Sequence, residues 1–190
     1  MADQLYLSCW LRGFTEHNML RHFEKLLRTF PHSRLGRHAA TLKITPVDFT
    51  VPALLERPFE QPFQVSEVII AAKEFQNPDC CYQLDTAWDL WQFDGSDWSV
   101  MPSRASLVCF GPEFEKDLGE NLRVDFGVDA NFLPATDLEG SAKMIESNIR
   151  SLLRLVHDVD DLPGMDRRQL WTESGENFAD RLQQVLSETA

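Results

Sequence analysis

The stretch CCYQLDTAWDLWQFDGSDWSVMP, residues 80–102, decides the fold because its apolar residues alternate in the pattern of a β-hairpin. Successive side chains of a strand point to opposite faces. Leu84 and Trp88 therefore share one face, and Asp85 and Asp89 share the other. The first face suits a core and the second suits a sheet surface.

The dipeptide Asp94-Gly95 lies at the centre of this stretch and is a strong signal for a hairpin turn. Two loop lengths fit the sequence. A two-residue loop pairs Phe93 with Ser96, whereas a four-residue loop pairs Phe93 with Trp98.

Composition indicates one globular domain, residues 1–190. The chain has 190 residues, is 43% hydrophobic and contains 13 Phe and 5 Trp, which is enough for one sizeable core and short for two. The four cysteines, at positions 9, 80, 81 and 109, follow no zinc or disulfide spacing. Reduced thiols of this kind predict a cytoplasmic protein.

The sequence predicts a soluble protein without a targeting segment. The N-terminus has no basic region followed by an apolar one, so it is read as a strand. The apolar stretch 65–72 is far below the roughly 20 residues of a membrane span.

Charge is distributed unevenly and is acidic in total, at −12. Residues 1–60 carry 8 Lys and Arg against 6 Asp and Glu, whereas residues 61–190 carry 10 against 24. Nucleic-acid binding draws on a dominant basic field, so this function class is not expected.

Periodicity and turn residues predict the other elements. Strands are expected at 5–11, 42–51, 104–110 and 121–128, and helices at 15–30 with Thr15 as cap, at 64–76, from Thr136 or Ser141 to His157, and from Ser174 onward. The 64–76 segment also suits a strand, and 52–63 is expected to be a connector. The order predicts an α+β fold: an antiparallel-dominated or mixed sheet with helices mainly on one face, a βαβ opening that suits a ferredoxin-like fold, and two C-terminal helices.

The first candidate site is the hairpin surface. Asp85 and Asp89 lie roughly 13 Å apart on one strand face, too far to share a proton. The aromatic residues Trp91, Phe93 and Trp98 lie beside them in either register. Exposed Trp residues are typical of interaction surfaces, so a protein partner or a second copy of the chain is expected here.

The second candidate site is basic and lies on the first helix and the segment after it. Its members are Arg21, Lys25, Arg28, Arg34 and Arg37. They suit an anion, although cations near a helix C-terminus also complement the helix dipole.

Metal and cofactor signatures are not found in the sequence. His157, Asp158, Asp160 and Asp161 form a tight cluster, but the spacing matches neither a zinc motif nor an EF-hand. No phosphate-binding, dinucleotide-binding or hydrolase motif is present either. We therefore expect neither a metal nor a cofactor.

Three functions remain open from the sequence. The first is a non-enzymatic binding or regulatory protein that uses the aromatic and acidic hairpin, as a homodimer or with a protein partner. The second is a hydrolase or metal-assisted enzyme with dispersed Asp, Glu and His residues. The third is a small anion binder that uses the first helix.

Overall fold

The computed structural model describes residues 3–48, 50–114, 116–133, 138–175 and 177–188. Within these ranges the chain forms seven strands and four helices. The strands are β1 (Gln4–Leu11), β2 (Ala40–Pro46), β3 (Leu55–Phe59), β4 (Cys80–Phe93), β5 (Trp98–Phe110), β6 (Leu122–Val128) and β7 (Met165–Thr172). The helices are α1 (Met19–Thr29), α2 (Val65–Lys73), α3 (Ser141–Asp160) and α4 (Phe178–Glu188), and a short 3-10 helix, Asp129–Phe132, follows β6.

The strands form one sheet in the order β3-β2-β4-β5-β6-β1-β7, and each neighbouring pair is antiparallel. The expected α+β class with an antiparallel sheet is confirmed. The ferredoxin-like opening is not confirmed, because β4, β5 and β6 lie between β1 and β2.

The long hairpin β4–β5 forms the centre of the sheet. Its register runs from Cys81 opposite Phe110 to Phe93 opposite Trp98, so the loop has four residues. The Asp94 side chain closes this loop by accepting hydrogen bonds from the backbone N–H groups of Ser96 and Asp97, each at 2.9 Å. The strand expected at 104–110 is thus the continuation of the hairpin.

One face of the sheet is buried in the main core. Leu7, Leu84 and Val124 are fully buried there, and α1, α2 and α3 contribute side chains to the same cluster. Trp88 is 1% exposed and packs against aromatic rings, with centroid distances of 5.4 Å to Phe126 and 5.9 Å to Phe30. The alternation in the hairpin sequence therefore identified the core face correctly.

Both edge strands correct the sequence interpretation. The segment expected to be a connector contains β3, in which Pro58 lies opposite Thr41. Proline is tolerated in an edge strand because its nitrogen need not donate to the ladder. β7 was missed because its residues Asp166 to Gln169 are all exposed and show no apolar alternation.

Two helix ends also differ from the expectation. α1 begins after Asn18, whose side-chain Oδ1 accepts a hydrogen bond from the Thr15 N–H at 2.8 Å, so Thr15 is not its cap. α3 continues past His157 to Asp160. The unfavourable carboxylate at this helix end is offset by an ion pair with Arg168. The alternative start of α3 at Thr136 lies outside the described residues.

Candidate ligand-binding groove

The face of the sheet opposite the main core, called here the open face, carries rows of side chains that follow the strand register. Directly opposed residues of antiparallel strands point to the same side. The first row is Thr41, Asp85, Ser106, Asp125, Tyr6 and Trp171. The second row is Lys43, Gln83, Val108, Arg123, Ser8 and Gln169. Most of these side chains are polar, and the aromatic residues Tyr6 and Trp171 lie together on β1 and β7.

A groove of about 1090 Å³ lies on the open face at the end of β5. It is bordered by the segment after β2, the loop between β5 and β6, and β7. Its lining residues are Val47, Asp48, Thr50, Phe110, Lys116, Asp117, Leu118, Glu120, Arg123 and Trp171.

Gly111 positions the β5–β6 loop beside this groove. Its N–H donates to the Cys80 carbonyl at 2.8 Å, and the Glu113 N–H donates to the Pro78 carbonyl at 2.9 Å. A Cβ atom on Gly111 would lie 2.1 Å from the Pro78 oxygen, so only glycine permits this approach. The loop is consequently folded back against the start of β4.

A buried carboxylate, Glu120, lies in the groove lining. Its side chain is 2% exposed, and the nearest cation is Arg123, whose Nη1 lies 3.4 Å from Glu120 Oε1. Among the described residues, neither Glu120 Oε2 nor Arg123 Nε has a hydrogen-bond partner. One acceptor and one donor therefore remain unsatisfied, on side chains that contact each other.

Aromatic rings hold the cations of the groove in place. The guanidinium carbon of Arg123 lies 5.1 Å from the Phe110 ring centroid and 5.4 Å from that of Tyr6. Lys116 Nζ lies 4.7 Å from the Phe110 centroid. Burial lowers the pKa of Lys116, and the nearby Glu120 opposes this shift. Cation–π contacts of this kind stabilise partly desolvated cations.

Two indole side chains anchor the surroundings of the groove, Trp171 on β7 and Trp10 on β1. Trp171 packs on Tyr6 at a centroid distance of 4.7 Å and donates from Nε1 to Ser8 Oγ at 3.0 Å. Trp10 donates from Nε1 to the Leu118 carbonyl at 3.1 Å, which attaches the loop to β1. The groove is thus lined by three strands (β5, β6 and β7), the segment after β2 and the anchored β5–β6 loop.

The two predicted aspartates have separate surroundings. Asp85 Oδ1 accepts hydrogen bonds from Ser106 Oγ at 2.6 Å and from Gln83 Nε2 at 2.7 Å. It lines a second concavity of about 660 Å³. Asp89 instead accepts from the Ser33 hydroxyl and from the Arg34 N–H, and so attaches the segment after α1 to β4.

The predicted aromatic residues lie near the hairpin loop. Trp91 and Phe93 are half-buried, and the Phe93 and Trp98 ring centroids are 5.6 Å apart. Trp98 donates from Nε1 to the Glu139 carbonyl at 3.0 Å and packs against the main core. Trp98 therefore has a structural role, whereas Trp91 and Phe93 retain exposed surface. None of the three lines the groove.

The predicted basic residues are all exposed: Arg21, Lys25, Arg28, Arg34 and Arg37. Arg28 pairs with Glu24 on the same helix at 2.7 Å. Neither of the two concavities is lined by any member of this set.

Sequence reasoning did not identify Lys116, Glu120 or Arg123 as site residues. Apolar and polar residues alternate in β6, and this alternation places Arg123 on the polar face. Strand periodicity could therefore have identified Arg123. Nothing in the sequence distinguishes Glu120 from its acidic neighbours in the loop, because no local pattern there predicts its burial.

Comparison with known proteins gives no match among family models, curated proteins or solved structures. Within the described part of the chain, no group of three or more His, Cys, Asp or Glu side chains is arranged to hold a metal ion. No helix in the described ranges has the length and apolar character needed to cross a membrane.

Proposed function

We propose that the protein is a non-enzymatic binding protein whose small ligand occupies the groove on the open face. The observation that carries this proposal is the unsatisfied pair, Glu120 Oε2 and Arg123 Nε, on side chains that line the same concavity. Concave sites with apolar walls and a few convergent polar groups are typical of ligand binding.

The cost of burying two polar atoms without partners supports this proposal. A buried polar atom that loses its partner costs about 1–3 kcal/mol, and more when it is charged. A ligand that donates to Glu120 and accepts from Arg123 recovers this cost on binding. Well-packed apolar residues would have been the more stable alternative if the two side chains served the fold alone.

The proposal is tested by a thermal-shift screen with free amino acids, nucleosides, monosaccharides and dicarboxylic acids at millimolar concentration. A compound that binds only the folded chain raises the melting temperature. We expect at least one class to do so, and the shift to disappear in Glu120→Gln.

The matched control is Glu113→Gln, which changes an exposed carboxylate of the same loop outside the groove. It should retain the full shift. A screen without any shift, or a shift equal in Glu120→Gln and wild type, contradicts the proposal.

A second candidate function is association through the hairpin, with a second copy of the chain or another protein. The supporting observation is that Val100 and Met101, 38% and 39% exposed, lie opposite Trp91 and Leu90 in the register. Half-buried Trp91 and exposed Val100 thus share one face. Exposed apolar side chains that lie together on a sheet face are a feature of contact sites.

A further inference from the structure

We infer that the groove binds a free α-amino acid with a large apolar side chain. This inference rests on the proposed function and specifies its ligand. It follows from the charges of the groove, from the contact between the two side chains that carry the unsatisfied atoms, and from the nature of the walls.

The groove contains charges of both signs. Asp48, Asp117 and Glu120 are its carboxylates, and Lys116 and Arg123 are its cations. A ligand with one charge only would meet like charges on part of the wall, which disfavours binding. A zwitterion meets an opposite charge at each end.

The unsatisfied atoms belong to two side chains that contact each other, with Arg123 Nη1 3.4 Å from Glu120 Oε1. Glu120 Oε2 requires a donor and Arg123 Nε requires an acceptor. A ligand whose ammonium and carboxylate are separated by few bonds fits this arrangement. In an α-amino acid they are attached to the same carbon, whereas in a peptide the two termini are farther apart.

The remaining wall is apolar and aromatic. Val47, Phe110, Leu118 and Trp171 line it. Burial of a Leu or Phe side chain against such a wall favours binding, because it removes apolar surface from water. Small or polar amino acids lack this contribution, so Phe, Trp and Leu are the expected ligands.

Access to the pair requires a side-chain movement. Both unsatisfied atoms are shielded from bulk water. The side chains of the 116–118 segment lie beside them on the groove, and Leu118 is 48% exposed. We assign the entrance to this segment, because Asp117 and Leu118 are its exposed side chains beside the pair.

The test is isothermal titration of the full chain with L-phenylalanine, phenethylamine and 3-phenylpropionate. The two analogues lack the carboxylate and the ammonium, respectively. We expect L-phenylalanine to bind at least about tenfold more tightly than either analogue. Glu120→Gln should lose that advantage over 3-phenylpropionate, while Glu113→Gln should keep it.

The outcomes separate this inference from the proposed function. If an analogue binds as tightly as L-phenylalanine, or if only a nucleoside, sugar or dicarboxylic acid binds, the groove is a ligand site and the amino-acid assignment is wrong. If none of these compounds binds, both are wrong. Glu120→Gln keeps the shape of the side chain, and an unchanged circular dichroism spectrum verifies that the variant is folded.

Discussion

Asn148 on α3 makes two hydrogen bonds with the backbone of Trp91 on β4, one from the Trp91 N–H to Oδ1 and one from Nδ2 to the Trp91 carbonyl, each at 2.9 Å. The same Nδ2 donates to the Asn131 carbonyl at 2.8 Å. β2 pairs with β4 only as far as Asp85. The Asn148 side chain therefore satisfies the Trp91 backbone groups that no strand on that side reaches.

We expect Asn148→Ala to lower the free energy of unfolding by about 2–4 kcal/mol, because three hydrogen bonds of a 2% exposed side chain are lost. Urea denaturation measures the change. Ser147→Ala, at the exposed neighbouring position, is the control and should change stability little. Equal effects of the two substitutions would show that the Trp91 backbone does not depend on Asn148.

Gly111→Ala should destabilise the protein by at least about 2 kcal/mol, since its Cβ would lie 2.1 Å from the Pro78 oxygen and 2.9 Å from the Cys80 oxygen. Gly119→Ala, in the same loop, is the control because no atom lies within 4 Å of its Cβ. Its positive φ of 68° costs about 1–2 kcal/mol. Thermal unfolding measures the loss of stability in both variants. A smaller loss in Gly111→Ala than in Gly119→Ala would show that the close contact with Pro78 does not hold the loop.

The hairpin tryptophans should respond differently to substitution. Trp98→Ser removes an indole that packs on the core and donates to Glu139, so we expect a loss of about 3 kcal/mol. Trp91→Ser should change stability by about 1 kcal/mol or less and abolish self-association. Sedimentation velocity at high concentration measures the association. A wild-type chain that stays monomeric there rules out self-association through the hairpin.

Histidine burial predicts a pH dependence of stability. Burial lowers the pKa of His32, and Nε2 lies 2.8 Å from the Leu27 carbonyl while Nδ1 lies 3.0 Å from Thr86 Oγ1. The unfolded chain binds the proton first as the pH falls below about 6.5. The free energy of unfolding should therefore fall with pH from there down to the lower pKa of the folded state.

Denaturation of His32→Gln between about pH 7.5 and 5.5 measures this contribution, because the variant should have a smaller pH slope than the wild type. Burial also lowers the pKa of His22, which adds to the slope in both proteins. The exposed residue His38 supplies the control, and His38→Gln should retain the wild-type slope. If the pH slope of His32→Gln equals that of the wild type, the pH dependence of stability arises from other groups.

Limited proteolysis tests whether residues 1–190 form one folding unit. Phe59 lies in β3, opposite Ala40 of β2, whereas Leu35 lies outside the strands and helices and is 52% exposed. Chymotrypsin should therefore cut after Leu35 before it cuts after Phe59. Two stable fragments separated within 52–63 would contradict a single unit.

The sequence predicted those elements whose apolar residues alternate or recur with helical spacing. β4, β6 and α1 are of this kind, because their buried apolar residues, Cys81 excepted, belong to one core. β7 was not predictable in this way, since its place in the sheet depends on backbone pairing with β1 and its side chains are mostly exposed.

The groove was predictable only in small part for a related reason. Arg123 follows from strand alternation, but the burial of Glu120 depends on the path of the β5–β6 loop. That path is set by the close contact of Gly111 with Pro78, two residues 33 positions apart. Local patterns carry no information on such contacts.

The four free cysteines make the chain a reporter of its own unfolding. All are buried, and burial raises the pKa to about 12 for Cys9 and Cys80 and to about 11 for Cys81, and raises that of Cys109 as well. Alkylating reagents attack the thiolate, so the folded chain should be nearly inert to them at neutral pH. Pulsed labelling followed by mass spectrometry can thus count unfolded molecules directly, in dilute solution or in a cell extract, without an attached dye.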